Sequence, residues 1–265
     1  MDGPNQSEKT VRFESTDLFD GLIATVIPAP ILIDQQANAI LRVLSESDWM
    51  RWRLRLTPVR LELYRVVYEA NSHLQHVYLP VSGVLTMQYY FEDGHMAEFA
   101  EIGNEGLTGT FAFSGNATSI WTCSVMRAGW AYMIDIGFLL KEFEESSAFR
   151  SAILRYMQVL MLITAQTAVC NRRHSISQQF AKILLLNHDR LMCDDLVFTH
   201  QLMANLMGVR REAISLAANQ LQELGAIEYK RGNIFIKSRI SLENACCECY
   251  RIIHNEIHRV YAQTV

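Results

Sequence analysis

The stretch LMANLMGVRREAISLAANQLQELGAIEYKRGNIFI, residues 202–236, contains the signals of two short helices and a hairpin. Thr199 can cap the first helix, and Gly208 can form the turn after it because glycine adopts positive φ without steric cost. A second helix is predicted from Arg210 to Gly225, where glycine ends it. Two helices joined by such a short turn predict a helix-turn-helix.

The second of these helices has an apolar face and a polar face. The apolar face, expected to point inward, consists of Ala213, Ile214, Ala217, Ala218, Leu221 and Leu224. The outward face consists of Arg211, Glu212, Ser215, Leu216 and Asn219. Arginine can bind guanine O6 and N7 in the major groove of DNA, and glutamate can accept a hydrogen bond from cytosine N4. The helix is therefore predicted to contact double-stranded DNA.

A basic hairpin follows this helix. Ile227 and Tyr229 precede the tip Lys230-Arg231-Gly232, and Ile234 and Ile236 follow it, which predicts the wing of a winged helix. The two basic residues of the tip are expected to bind backbone phosphates. The full set of predicted DNA contacts is Thr199, His200, Arg210, Arg211, Glu212, Ser215, Leu216, Asn219, Lys230 and Arg231. The alternative is a helical hairpin with a solvated charged face.

Charge is distributed unevenly along the chain. The formal net charge of the 265 residues is −4, but residues 172–240 hold ten Lys and Arg against six Asp and Glu. The first 171 residues carry a net −7 and residues 241–265 a net −1. An acidic front and a basic rear favour two modules, of which the rear one is suited to binding a polyanion.

Residues 60–135 have the pattern of short strands, with runs rich in Val, Tyr, Phe and Leu separated by turn signals. Asp93-Gly94 lies between two such runs and predicts a hairpin. Ahead of them, WMRWRLRL alternates arginine with apolar residues and predicts a strand with one solvated face. The predicted fold class is α+β: an N-terminal antiparallel β-roll resembling a cupin jelly roll, a long helix and a C-terminal winged helix-turn-helix.

The long helix is predicted to hold a dimer together. Its apolar residues follow the spacing of a coiled-coil seam: Phe149, Ile153, Tyr156, Leu160, Ile163, Thr167 and Cys170. A second apolar stripe lies beside the seam: Leu154, Met157, Met161, Ala165 and Ala168. Both faces need cover, so we expect one on the β-roll and one on a second subunit. The alternative is a helix buried within one monomer.

The predicted organisation has five parts. They are a tail (1–17), a β-roll sensor domain (18–146), a dimerisation helix (147–172), a winged helix-turn-helix domain (173–240) and a helical tail (241–265). The sequence lacks a long uncharged apolar run and a basic-then-apolar leader, so a soluble, cytoplasmic protein without a membrane partner is expected.

No catalytic triad, P-loop or HExxH motif is present, and the chain is predicted not to be an enzyme. The six cysteines are irregularly spaced, which does not fit a secreted disulfide framework. No metal site is predicted. Two sets of ligands were weighed against a packing role: the roll histidines (His73, His76, His95) and a tail stripe (Cys247, His254, His258).

Several segments, in this order, resemble the Crp/Fnr superfamily of bacterial transcription regulators: HVYLPVSGVL, EIGNEGLTG, AVCNRRHSISQQFAKILLLNHDRL, LMGVRREAISLAANQLQELGAIEYKRGNIFI and LENACCECY. The resemblance covers about residues 18–250. It implies a homodimer on an inverted repeat with half-sites one helical turn (~10 bp) apart, and RNA polymerase as a partner. The family reads bases with Arg-Glu and a later Arg. Arg211 and Glu212 match, but the third position is Leu216, which cannot donate a hydrogen bond.

The resemblance also implies an effector pocket in the β-roll, which would be formed by Gly103, Glu105, Gly106, Thr108, Thr118 and Ser119. No arginine precedes Ser119, and no Lys or Arg occurs between Arg65 and Arg127. A buried cyclic phosphate would lack a countercharge, so no ordinary cAMP response is expected. The first cysteine is Cys123, which excludes the family's N-terminal iron–sulfur cluster. No cofactor is predicted, and the effector would be an unidentified small molecule.

Two other functions compete with DNA binding. One is a ligand-binding regulatory module that acts on a partner protein, which the basic wing disfavours. The other is a cupin-type metal-binding protein or metalloenzyme, which would need the roll histidines to converge with a carboxylate.

Overall fold

The structure is a computed structural model, and it describes residues 33–92, 96–230 and 232–262. The predicted tail 1–17, residues 18–32 of the predicted β-roll domain, the Asp93-Gly94 turn, His95 and Arg231 lie outside the described residues. The front half contains α1 (Ala39–Arg42), α2 (Glu46–Trp52), β1 (Thr57–Leu61), β2 (Val66–Tyr68), β3 (His76–Pro80), β4 (Val84–Tyr90), β5 (Met96–Ile102), β6 (Thr122–Arg127), β7 (Gly129–Asp135) and α3 (Ile136–Glu145). The rear half contains α4 (Ser147–Arg173), α5 (Ile176–Leu191), β8 (Asp195–Val197), α6 (His200–Met207), α7 (Arg211–Glu223), β9 (Ile227–Lys230), β10 (Asn233–Ile236), α8 (Arg239–Ala245) and α9 (Glu248–Ala262).

The front half is an antiparallel β-roll, as predicted. Strands β1, β7 and β3 form one sheet, and β2, β6, β4 and β5 form the other. Side chains from both sheets fill the space between them, with Leu79, Leu85 and Tyr132 among the fully buried ones. The alternation of apolar and polar residues along the strands produces this closed core.

WMRWRLRL does not form the predicted strand. Helix α2 runs to Trp52 instead, because Ser45 caps it by accepting a hydrogen bond from the Asp48 backbone N–H. Arg51 Nη2 and Trp52 Nε1 both donate to the buried carboxylate of Glu142 on α3, at 2.8 and 3.0 Å. A partner 90 residues away therefore decides the local structure.

Helix α4 is the longest helix among the described residues and begins at the capping residue Ser146. Its predicted dimer seam is mostly used within the chain: Phe149, Ile153 and Tyr156 pack into the β-roll core, and Ile163 packs on the DNA-binding half. Cys170 is also buried. The assignment of these residues to a dimer seam is therefore wrong, because their side chains are buried within a single chain. In the second stripe Met157 packs against the β-roll core, but Leu154 and Met161 stay 54% and 70% exposed.

By length and composition alone, Ser147–Arg173 could also cross a membrane. A helix that packs along a soluble core meets the same criterion, and α4 contacts the β-roll, α5 and α9 within this chain. Its apolar character is accounted for by these contacts and by the exposed stripe.

The rear half is built around α5, which packs against α7 and α8. Ser175 and Gln178 form a capping box at the start of α5. Strands β8, β10 and β9 form a three-stranded antiparallel sheet behind α7. Helix α9 returns along α4, so the tail packs on the long helix.

Candidate nucleic-acid interface

The predicted helix-turn-helix is present as α6, a turn and α7. Thr199 Oγ1 accepts a hydrogen bond from the Leu202 backbone N–H at 3.1 Å and caps α6. Gly208 occupies the turn with φ of +63°, a left-handed conformation that a side chain would strain. Ala204 is buried where the two helices cross. The sequence signals for this motif are confirmed.

Helix α7 buries its small and aliphatic face and presents a polar one. Ile214, Ala217, Ala218 and Leu221 are buried in the core of the rear half. Leu224 was expected among them but is 61% exposed, because α7 ends at Glu223 and the chain leaves the buried face there. The inward face is otherwise as predicted.

Most of the residues expected to contact DNA are accessible on α7. The side chains exposed to solvent are Arg210, Arg211, Glu212, Leu216 and Asn219. Arg210 is the N-cap residue of α7 and is exposed at the start of the helix. The N-terminus of a helix also offers backbone N–H groups to an anion such as a phosphate. Two arginines and a helix N-terminus therefore share one surface.

His200 and Ser215 are less accessible and bind each other. His200 Nδ1 lies 2.9 Å from Ser215 Oγ, and the imidazole stacks on Tyr229 of the wing with ring centroids 4.0 Å apart. Ser215 Oγ also donates to the Arg211 carbonyl at 3.2 Å. Burial, together with the nearby charge of Arg211, lowers the pKa of His200 below its usual 6.5. The two side chains therefore join α6, α7 and the wing as a neutral contact at neutral pH.

The wing is the antiparallel pair of β9 and β10, in which Lys230 pairs with Asn233. Lys230 is exposed at the tip, while Arg231 lies outside the described residues. Gly232 has φ of +88°, and a Cβ there would lie 3.4 Å from the Thr199 side chain. The tip therefore lies beside the start of α6, which brings the wing and the helix-turn-helix to one face.

The predicted effector residues do not surround an open anion site. Glu105 Oε1 accepts hydrogen bonds from the Gly103 backbone N–H and from Arg190 Nε, both at 3.1 Å. A Cβ on Gly106 would lie 2.0 Å from the Tyr156 ring of α4, so the ring covers this glycine.

The other three predicted effector residues are used in local structure. Thr108 Oγ1 accepts from the Tyr78 backbone N–H, and Ser119 Oγ donates to the Trp121 carbonyl. Thr118 is exposed and forms an isolated bridge with His73. Gly103, Glu105 and Gly106 therefore lie together, whereas the Thr118 side chain is exposed to solvent.

The carboxylates of the β-roll receive their countercharge from the rear half. Arg190, near the end of α5, forms ion pairs with Glu101 and Glu105, and all three side chains are more than nine-tenths buried. Burial lowers the pKa of Arg190, but the charges of Glu105 and Glu101 outweigh it and raise the pKa above its usual value. Asn187 Nδ2 also donates to Glu101, at 3.1 Å. This countercharge lies outside residues 65–127, the segment in which the sequence has no Lys or Arg between its two ends.

A second guanidinium lies at the same boundary. Arg127, at the end of β6, is 7% exposed and stacks on Phe198 ahead of α6 at 3.8 Å from the ring centroid. Burial lowers its pKa to about 10. Helix α6 packs against β5 close by. The sensor and the DNA-binding half therefore meet through charged groups that no local sequence pattern indicated.

A β-roll joined by a long helix to a winged helix-turn-helix is the architecture of a DNA-binding transcription regulator. Residues 178–245 match the family model of the Crp-like helix-turn-helix domain. No curated protein matches the chain. The fold and the helix-turn-helix are of the Crp/Fnr type, which confirms the resemblance seen in the sequence.

Solved structures of such regulators are similar to this chain over most of its length. FixK2 of Bradyrhizobium japonicum is 14% identical with a TM-score of 0.61, covering 72% of this chain and 98% of that one. A protein described as a Crp/Fnr-family regulator from Eubacterium rectale is 16% identical with a TM-score of 0.63, covering 79% and 98%. CLP of Xanthomonas campestris is 14% identical with a TM-score of 0.58, covering 71% and 97%.

Proposed function

We propose that the protein is a cytoplasmic homodimer that binds a specific inverted repeat in DNA and regulates transcription there. The observation that carries this proposal is the exposed start of α7, where Arg210, Arg211 and Glu212 project together beside the basic wing. Residues 210–219 would enter the major groove, and Lys230 and Arg231 would bind phosphates. Leu216 would leave one base pair without a hydrogen bond. RNA polymerase is the partner expected of such a regulator.

The dimer contact is assigned to the exposed stripe of α4. Leu154, Met161 and Val169 are each more than half exposed, and the small exposed residues Ala165 and Ala168 lie between Met161 and Val169. Pairing this stripe with its copy in a second subunit would remove its apolar surface from water. Both apolar faces of α4 would then be buried. The seam formed by Phe149, Ile153 and Tyr156 is not available for this role.

The effector is proposed to differ from cAMP. Support comes from Arg190, which already pairs with Glu105, and from Tyr156, which covers Gly106. The same Arg190 offers a route for regulation, because any ligand that competes for Glu101 or Glu105 would loosen the contact between the β-roll and α5. Such a change would alter the orientation of α7.

Selection from randomised duplex DNA by the purified, effector-free protein at moderate salt, followed by sequencing, tests the proposal. We expect enrichment of an inverted repeat with half-sites about one helical turn apart. Met161→Glu is the matched variant, because a charge in the stripe should prevent dimerisation and reduce enrichment to single half-sites. Absence of any DNA binding at low salt would overturn the proposal and favour a module that acts on a partner protein.

A further inference from the structure

Four side chains with metal-binding chemistry converge where α4 ends and the tail returns to it. Cys170 and His174 are four residues apart at the end of α4, and Cys247 and Cys249 lie at the start of α9. One ligand atom from each residue lies within 4.8 Å of the others. Three of the four residues are buried, and His174 is partly buried. No other group of three or more such ligands converges within the described parts of the chain.

Two of the distances between ligand atoms are close to those of a tetrahedral zinc site. Zn–S bonds of about 2.3 Å and Zn–N bonds of about 2.0–2.1 Å place neighbouring sulfurs about 3.8 Å apart, and nitrogen and sulfur about 3.6 Å apart. Here Cys170 Sγ and Cys247 Sγ are 3.6 Å apart, and Cys249 Sγ and His174 Nδ1 are 3.4 Å apart. The remaining pairs lie within 4.8 Å, so a metal ion would have to draw the four ligand atoms together by up to about 1 Å.

Neighbouring groups orient these ligands. His174 Nε2 lies 3.2 Å from Glu248 Oε2, so the carboxylate holds the imidazole with Nδ1 directed at the sulfurs. Gln166 Nε2 donates to Cys249 Sγ at 3.1 Å. Both contacts therefore hold a ligand atom in place within the cluster.

The surrounding charge also suits a metal–thiolate centre. Three thiolates and one Zn²⁺ carry a net charge of −1, which is costly to bury without a cation nearby. Lys182 on α5 is only 3% exposed and places a positive charge near Cys170. Such an ammonium would offset the net charge of the centre.

We propose that Cys170, His174, Cys247 and Cys249 bind one Zn²⁺ ion per chain in a closed, structural Cys₃His site. Thiolate with imidazole is the ligand set that zinc prefers over magnesium or calcium. The ion would join the tail to the junction between α4 and α5, where the long helix leads into the DNA-binding half. The site does not depend on the proposed DNA binding. It replaces the stripe considered from sequence, because Cys247 faces Cys170 while His254 and His258 contact each other.

Metal analysis of the full chain, purified and then equilibrated with Zn²⁺ under reducing conditions, tests this site. We expect one Zn²⁺ per chain in the unmodified protein, and the same in Cys193→Ser, which removes an exposed cysteine outside the cluster. Cys170→Ser and Cys249→Ser should lose zinc, with affinities reduced well beyond the roughly 100-fold that changes around a metal site cost. Zinc retained equally by both variants would overturn the proposal.

A second variant keeps the test valid if a cysteine variant fails to fold. Glu248→Gln retains all four ligands, and we expect its zinc affinity to fall by about tenfold because Glu248 only orients His174. Co²⁺ added to the unmodified, metal-free protein should produce the visible absorption of tetrahedral thiolate coordination. An absence of that absorption, or a mass lower by two hydrogens from a Cys170–Cys247 disulfide in the reduced preparation, would contradict a metal site.

Discussion

The two ends of α5 are held by different chemistry. At its start, His174 and the cysteines of α4 and the tail form a cluster of soft ligands. At its end, Arg190 pairs with Glu101 and Glu105 of the β-roll. Both clusters are buried and both join segments far apart in sequence. The contact between α5 and the tail should therefore be weakened by chelators and thiol reagents. The contact between α5 and the β-roll should be weakened by removing one of its charged side chains. This difference allows each to be broken separately.

The largest effect is expected from breaking the charged end. Arg190→Met leaves two buried carboxylates without their guanidinium and should cost about 3–5 kcal/mol of unfolding free energy, measured by urea denaturation. Adding Glu101→Gln and Glu105→Gln should restore most of the loss, because the isolated charges are then removed. Arg251→Met, at an exposed position of α9, serves as the control. A loss below about 1 kcal/mol would show that Arg190 does not hold the two halves together.

The cysteine end should respond to metal instead. With free Zn²⁺ at 100 times its dissociation constant, the folded chain should gain about 2.7 kcal/mol of stability. Thermal unfolding with and without a chelator measures this gain, which Cys249→Ser should abolish. Arg190→Met should keep the increment, since its defect lies at the other end of α5. Equal loss in both variants would mean that the two ends are not independent.

The DNA-binding surface gives effects of the next size. Arg211→Ala should weaken binding to the selected site by about 1–3 kcal/mol and relax the preference at one base pair. Lys230→Ala should weaken all sequences alike and reduce the slope of affinity against salt by about one phosphate contact. Titration of matched and mismatched duplexes at several salt concentrations separates the two. A base-specific loss in the lysine variant would contradict its assignment to phosphate.

Some of these regions could be predicted from the sequence and others could not, because only some are determined by local signals. The helix-turn-helix could be predicted because its signals are local: Thr199 caps one helix, and Gly208 and Gly225 end the two in turn. The β-roll was predictable from the period and turn signals of its strands. WMRWRLRL was mispredicted because Glu142, 90 residues away, binds the side chains at the end of α2.

The same limit applies to the buried clusters. The pairing of Arg190 with Glu105 could not be predicted, because no local sequence pattern around either residue indicates a partner in the other half of the chain. The sequence pattern indicates the tail cysteines but not the full ligand set, because Cys170 and His174 come close to them only once α9 folds back along α4. Long-range pairing, and not local propensity, determines both sites.

A separate effect concerns the pH response of the charged end. Burial, reinforced by the charge of Glu101, raises the pKa of Glu98 on β5 from 4.5 to about 8, and the hydrogen bond from Thr86 at 2.5 Å opposes this only in part. The folded state thus holds a proton that the unfolded chain releases near pH 4.5. The stability contributed by this proton is fully present below pH 4.5 and is lost as pH rises through about 8. Glu98→Gln should flatten the decline between these values in denaturation measured at several pH values. An unchanged decline would assign the pH response to another group at the boundary between the two halves.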